Sequence, residues 1–358
     1  MTHAAAPLDR AEAFCRRFGL GLPILLAPMA GACPPALSAA VATAGGLGAC
    51  GGLLMSPEAI RAWAAEVRAA TNGPFQINLW VPDPPPVRDP VHEARVRAFI
   101  GAWADEPPAE AGDATPPDFA GQCEAVLGAG PAIVSSIMGV FAPDFVARLR
   151  QRGVSWWATA TTLAEARAAE DAGAEVIIAQ GAEAGGHRGA FDAARAETAA
   201  VGLFALVPAI VDAVDAPVVA AGGIADSRGI AAALLLGASA VQIGTGFLRC
   251  PEAGLSPAWA DALAAAAPED TMLTRAFSGR AGRSLATAYA RAAATPGAPS
   301  PAPYPVQRGL TQAMRAAASA AGDLERMQAW SGQSARLAQA LPAAELAESL
   351  WQGARALL

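Results

Sequence analysis

Eight short apolar runs recur along this chain, each four to six residues long, with Ala-rich helical patterns between most of them. They are 23–28 (PILLAP), 47–50 (LGAC), 75–79 (FQINL), 132–137 (AIVSSI), 155–158 (SWWA), 176–180 (VIIAQ), 218–221 (VVAA) and 240–244 (AVQIG). A continuous apolar run, as opposed to an alternating one, marks a strand covered on both faces, as in a parallel sheet between layers of helix. The intervening patterns, 35–44, 57–71, 143–151, 162–172, 201–213 and 227–236, often open at Ser, Thr or Pro and close near Gly. Thr161 and Thr162 stand at one start, and Gly45 and Gly173 lie just past two ends. Eight strands alternating with helices favour an α/β fold of the (β/α)8 TIM-barrel kind over an open doubly wound sheet.

Composition narrows the function classes. Of 358 residues, 53% are hydrophobic and 16% charged, too apolar a chain to stay disordered. The net charge is −7 and there is no lysine, so the 25 basic side chains are all arginine. That balance argues against a non-specific nucleic-acid partner. Two stretches, 18–57 and 229–248, carry no charge. Prolines and glycines interrupt the first, and Gly237, Gly244, Gly246, Gln242 and Thr245 the second, so both read as buried barrel segments and no membrane partner is expected. Cys15, Cys33, Cys50, Cys123 and Cys250 form no CxxC pair. They predict neither a disulfide framework nor a metal cluster, and with no secretory signal at the N-terminus they point to the reducing cytoplasm.

Two segments fall outside the repeat. Residues 80–121 are rich in Pro and acidic side chains and read as a loop with one short helix, a lid over the active face. Residues 251–358 hold a Pro-rich patch at 293–305 and then Ala-rich helices. The expected organisation is a barrel over 1–250 and a smaller, mainly helical second domain over 251–358. Its apolar helices could also form a homodimer face.

In such a barrel the reacting groups stand at the C-terminal ends of strands. The sixth run ends in 180–189 (QGAEAGGHRG), which packs glycines around His187 and Arg188. Glycine lets backbone approach a flat or phosphorylated ligand, and histidine moves protons near neutral pH. Of the other histidines, His3 and His92 lie in segments expected to be mobile. The last two runs end in Gly222-Gly223 and Gly244-Thr245, where backbone N–H groups of a barrel commonly take a phosphate. The first run ends Ala27-Pro28-Met29, offering backbone groups and a thioether to an aromatic ring. Gln76 and Asn78 sit inside an apolar strand, a costly placement without polar partners, which itself argues for a bound polar ligand.

At these residues the chain resembles the nitronate monooxygenase family. The likeness runs through PILLAPMAG (23–31), AGGLG (44–48), QINL (76–79), AQGAEAGGHRG (179–189), PVVAAGGI (217–224) and VQIGTGFL (241–248). It extends more weakly to PYP (303–305) and WSGQSA (330–335). The resemblance implies an FMN barrel that oxidises alkyl nitronates with O2, its partners being the small-molecule substrate and O2. It places the phosphate on Gly222, Gly223, Gly244 and Thr245. Met29, Asn78, Gln180, Gly185 and Gly186 would hold the ring and ribityl chain. It sets His187 beside the flavin, a base toward neutral nitroalkanes in some members, and Tyr304 near the substrate. Positive charge, which some members draw from lysine, would have to come from arginine, with Arg188 as the nearest choice. The alternative is an FMN-dependent NAD(P)H enoyl-acyl-carrier-protein reductase or a related polyketide reductase: the enoyl reductases share the EAGGH stretch but need a nicotinamide site, and the HRG continuation and the long C-terminal unit favour the monooxygenases.

Overall fold

In the computed structural model, which describes residues 6–358, all eight apolar runs are strands. They are β1 (Ile24–Leu26), β2 (Gly48–Gly51), β3 (Phe75–Trp80), β4 (Ile133–Ile137), β5 (Ser155–Ala160), β6 (Val176–Gln180), β8 (Val218–Ala221) and β9 (Ala240–Ile243). All pair in parallel in the order β1-β9-β8-β6-β5-β4-β3-β2. A bridge between Leu25 and Leu47 closes the ring, with the Leu26 amide donating to the Leu47 carbonyl at 2.9 Å. The fold is a TIM barrel.

The barrel helices are α2 (Pro35–Thr43), α3 (Pro57–Ala70), α5 (Phe119–Ala129), α6 (Pro143–Gln151), α7 (Leu163–Asp171), α8 (Leu203–Val211) and α9 (Ser227–Leu235). Local chemistry sets their ends. Ser56, Thr162 and Asp226 accept from the third amide beyond them, satisfying orphan donors of α3, α7 and α9. Before the first strand, α1 (Pro7–Phe18) lies under the ring, its Phe14 and Phe18 packed on Trp157 at 5.6 and 4.9 Å.

Side chains along a strand alternate between faces, so each inward residue recurs at every second position. Ile133, Trp157, Ile178 and Ala240 belong to the apolar plug over α1. Two residues further along the same strands stand Ser135, Thr159, Gln180 and Gln242, all buried. The interior therefore changes from hydrocarbon to polar within one step toward the C-terminal mouth.

The rest of the chain covers that mouth. The expected single short helix of 80–121 is a three-turn helix, α4 (Pro90–Gly101), followed by a 3-10 turn at Ala109–Asp113. After β9 come α10 (Pro257–Ala265), an antiparallel pair β10 (Thr271–Thr274) and β11 (Gly282–Leu285), then α11 (Ala288–Ala293), α12 (Val306–Leu310) and α13 (Gln312–Ala321). Strand β11 also pairs with a two-residue strand β7 (Gly186–His187). Lid and C-terminal segment share one core, in which Val96 and Ile100 of α4 pack with Phe277, Tyr289, Val306, Leu310 and Met314.

The boundary placed at residue 250 does not describe the last helix. α14 (Ala343–Arg355) returns to the barrel wall, burying Leu346, Leu350 and Trp351 in the barrel's own core beside α9 and α2. Ser227 donates to the Leu350 carbonyl at 2.9 Å, and a Cβ on Gly353 would fall 2.3 Å from the Ser227 hydroxyl. α14 thus fills the eighth helix position, and its apolar face is spent within the chain. No helix among the described residues is long and apolar enough to cross a membrane.

Candidate active site

A cavity of about 700 Å³ opens at the C-terminal mouth of the ring. The inward row of the strands forms its floor: Asn78 and Trp80 on β3, Thr159 beyond β5's midpoint, Gln180 ending β6, and Gln242 on β9. Ala27, Pro28, Met29, Asn78, Gln180, Gly185, Gly186, His187, Gly222, Gly223, Gly244, Thr245 and Tyr304 all line this one space, so the structure brings together residues up to 277 positions apart in sequence (304 − 27).

One end is backbone. Gly222 and Gly223 take φ of +108° and +67°, and a Cβ on Gly222 would stand 2.9 Å from Ala184. Only glycine meets both conditions without strain. Gly244 faces Met29, whose sulfur would lie 3.3 Å from an added Cβ. Thr245 accepts from the Gly332 amide at 2.9 Å and keeps its hydroxyl proton free to donate.

The floor is a set of amides. Gln76 donates to the Leu26 carbonyl at 3.3 Å and to Gln242 Oε1 at 3.1 Å, while its own Oε1 is buried without a partner. Asn78 donates to Ser135 at 3.0 Å. Asn78 Oδ1 and Gln242 Nε2 have no partner among the described residues and border the cavity. Gln180 is spent differently: it donates to the His187 carbonyl at 3.1 Å and accepts from the Gly189 amide at 2.8 Å, so it shapes the loop that carries the histidine.

The other end is built from side chains. His187 is held by the pairing of β7 with β11 and by a 2.8 Å bond between its Nε2 and the Ser278 hydroxyl. Its ring packs on Trp80 at 4.9 Å and Trp330 at 4.8 Å, and Tyr304 stacks on Trp80 at 5.0 Å. Gly282 is needed for this: a Cβ there would meet the Trp330 ring at 2.9 Å. Burial, then the positive charges of Arg280, Arg308 and Arg315, push the His187 imidazole down to about 3, so it is neutral at physiological pH.

Arg188, expected beside His187 as a catalytic group, does not face the cavity. It is 1% exposed and donates to the carbonyls of Gly181 at 2.5 Å and Gln180 at 3.3 Å, behind the strand end. The reason is strand alternation: with His187 turned toward the mouth, its neighbour turns away. The cationic groups at the cavity are Arg308 and Arg315 instead. Arg315 bonds Thr311, Gln328 and the Arg308 carbonyl, with no carboxylate among its partners. The Arg308 guanidinium has no hydrogen-bond or ion-pair partner among the described residues. Burial lowers both, Arg315 to about 10. Sequence reasoning missed them, although Arg308 lies four residues after Tyr304, on the short helix that starts just beyond it.

His92 sits on α4 with its Nε2 on the Ser300 carbonyl at 2.7 Å, outside the site, and His3 lies outside the described residues. All five cysteines are free and buried, and no cluster of metal-ligating side chains occurs among the described residues.

Three comparisons extend the geometry. A family model described as nitronate monooxygenase matches residues 16–353. A nitronate monooxygenase of Paraburkholderia phytofirmans is 40% identical over 93% of this chain and 92% of its own length. One of Pseudomonas aeruginosa is 40% identical over 95% and 98%. Among solved structures, a nitroalkane oxidase from Streptomyces ansochromogenes superposes with a TM-score of 0.87 at 38% identity, covering 96% of this chain and 98% of that one. FabK of Thermotoga maritima superposes with a TM-score of 0.74 at 29% identity, covering 96% of each.

Proposed function

The chain belongs to the nitronate monooxygenase family and is an oxidoreductase, and from that premise we propose that it binds FMN in the 700 Å³ cavity and oxidises alkyl nitronates with O2 to a carbonyl compound and nitrite. The unpaired guanidinium of Arg308 carries this reading. A half-buried cation with no carboxylate partner among the described residues, in a chain of net charge −7, is stable when an anion from outside completes it.

The residues present fit a flavin. At the cavity Gln242 Nε2 offers a free donor and Asn78 Oδ1 a free acceptor, the two kinds of group that a flavin's pyrimidine edge, with its carbonyls and one N–H, calls for. The backbone of Gly222, Gly223 and Gly244 with the Thr245 hydroxyl would take a single phosphate. Met29, Gly185 and Gly186 would flank the ring and ribityl chain. Bound flavin supplies the redox centre between nitronate and oxygen.

The protein's own part is orientation and charge. Arg308 holds the nitronate oxygens, with the Tyr304 hydroxyl, which has no hydrogen-bond partner among the described residues, as a second donor. Trp80, Tyr304 and Trp330 wall the reacting carbon from water. A nitronate arrives already deprotonated, so a neutral His187 needs only to hydrogen-bond it. For a neutral nitroalkane the carbon proton would pass to Nδ1, the ring nitrogen not bonded to Ser278. With the imidazole near 3 that transfer is uphill, so nitronates are the favoured substrates. Five free, buried thiols suit a reducing compartment such as the cytoplasm.

Purified protein should be yellow and should consume oxygen with propyl nitronate, and His187→Ala should depress that turnover. A colourless, unreconstitutable protein overturns the reading. Bleaching by NADPH with no response to nitronates would move the assignment to the enoyl reductases.

A further inference from the structure

A second cavity of about 470 Å³ lies between the lid and the active cavity. We propose that it receives the apolar tail of the substrate, so that the preferred nitronates carry a long hydrocarbon chain; this rests on the nitronate reading above. The wall shared by the two spaces includes Leu53, Trp80, Thr115, Pro116, Tyr304 and Pro305. The stacked pair of Trp80 and Tyr304 is therefore part of the partition, and its Trp80 ring stands against His187 on the reacting side. A substrate whose head group lies between Arg308 and His187 has this second space as the next place for its chain.

The lining suits hydrocarbon. Pro82, Pro84, Pro85, Pro86, Pro116 and Pro117 contribute backbone without an N–H, so the wall presents few donors that need water. Their fixed φ keeps the strap from collapsing inward. Phe119 and Val306 add apolar surface. The three ionic groups of the wall are already satisfied: Asp83 by Arg280 at 2.9 Å, and Arg88 by Glu93 and Asp113 at 2.5 and 2.9 Å. No unpaired charge remains there to recruit a polar head, in contrast to Arg308 next door.

The test is a series of ethyl, butyl, hexyl and octyl nitronates with the flavin-loaded enzyme. Each added methylene that enters the cavity should raise kcat/KM about threefold to fourfold. Pro86 lines only the second cavity. Pro86→Trp should flatten the series while leaving ethyl nitronate turnover unchanged, and Pro85→Trp on the same strap guards against a local misfold. Calorimetric titration with 1-octanol, which has the tail and no nitronate, reads the site without turnover. Octanol binding lost in either plugged variant supports the tail site even for a preparation that ignores nitronates. A flat series in the wild type, or a slope and octanol binding that survive both plugs, overturns it and leaves the nitronate reading standing.

Discussion

The two ends of the active cavity are made of different material. The end near Gly222, Gly223, Gly244 and Thr245 is backbone, delivered by turns that directly follow β8 and β9. The end near His187 is side chains, and Ser278, Tyr304, Arg308, Arg315 and Trp330 all come from the excursion between β9 and α14. A backbone site tolerates almost no change in residue type but needs little from the rest of the chain. A side-chain site depends on distant packing, yet each of its members can be altered without closing the cavity.

The largest effect should come from the backbone end. Gly222→Val puts a β-branched residue at φ +108° with its Cβ 2.9 Å from Ala184. The protein should purify without visible flavin absorbance, and a normally yellow variant would break the contrast. Next, Arg308→Ala should keep its flavin and lose roughly 100-fold in kcat/KM for nitronates, the scale of removing one oxyanion donor. Loss of flavin in that variant would show that the two ends are not separable. Arg188→Met leaves two buried carbonyls without their donor and should cost about 3 kcal/mol of stability in denaturant unfolding, with turnover of the folded fraction little changed. A selective loss of kcat at full stability would return Arg188 to the catalytic set.

The smallest effect is a pH slope. The unfolded imidazole of His187 takes a proton near 6.5 and the folded one only near 3. Between these values the unfolded state binds more protons, so this contribution to stability is complete above 6.5, falls as pH falls, and levels off below 3. From pH 6.5 to 5 it amounts to about 2 kcal/mol. Denaturation of wild type and His187→Gln at both pH values isolates it, and parallel pH dependences would mean that the folded imidazole is not depressed.

The same contrast explains what could be read in advance. Each strand was visible as an apolar run because burial on both faces leaves no choice of residue type. The glycines of 222–223 and 185–186 stand out because a left-handed conformation at Gly186, Gly222 and Gly223, and a close backbone approach at Gly185, allow little else. Gln180 lines the cavity, and only the folded loop shows that its amide is used by the His187 carbonyl and the Gly189 amide. Arg188 was assigned by adjacency in sequence, whereas a strand turns neighbours to opposite sides. The 1–250 and 251–358 division followed composition, which carries no sign that α14 and the barrel share a core.

By itself the sequence determined a closed parallel barrel and the backbone end of its mouth, because steric and burial constraints act on residues a few positions apart. Tertiary structure alone decided which arginine faces the chemistry, how a distant hairpin fixes the histidine, and which helix completes the ring. Those outcomes depend on contacts between segments about 100 residues apart, whose energies no local pattern records.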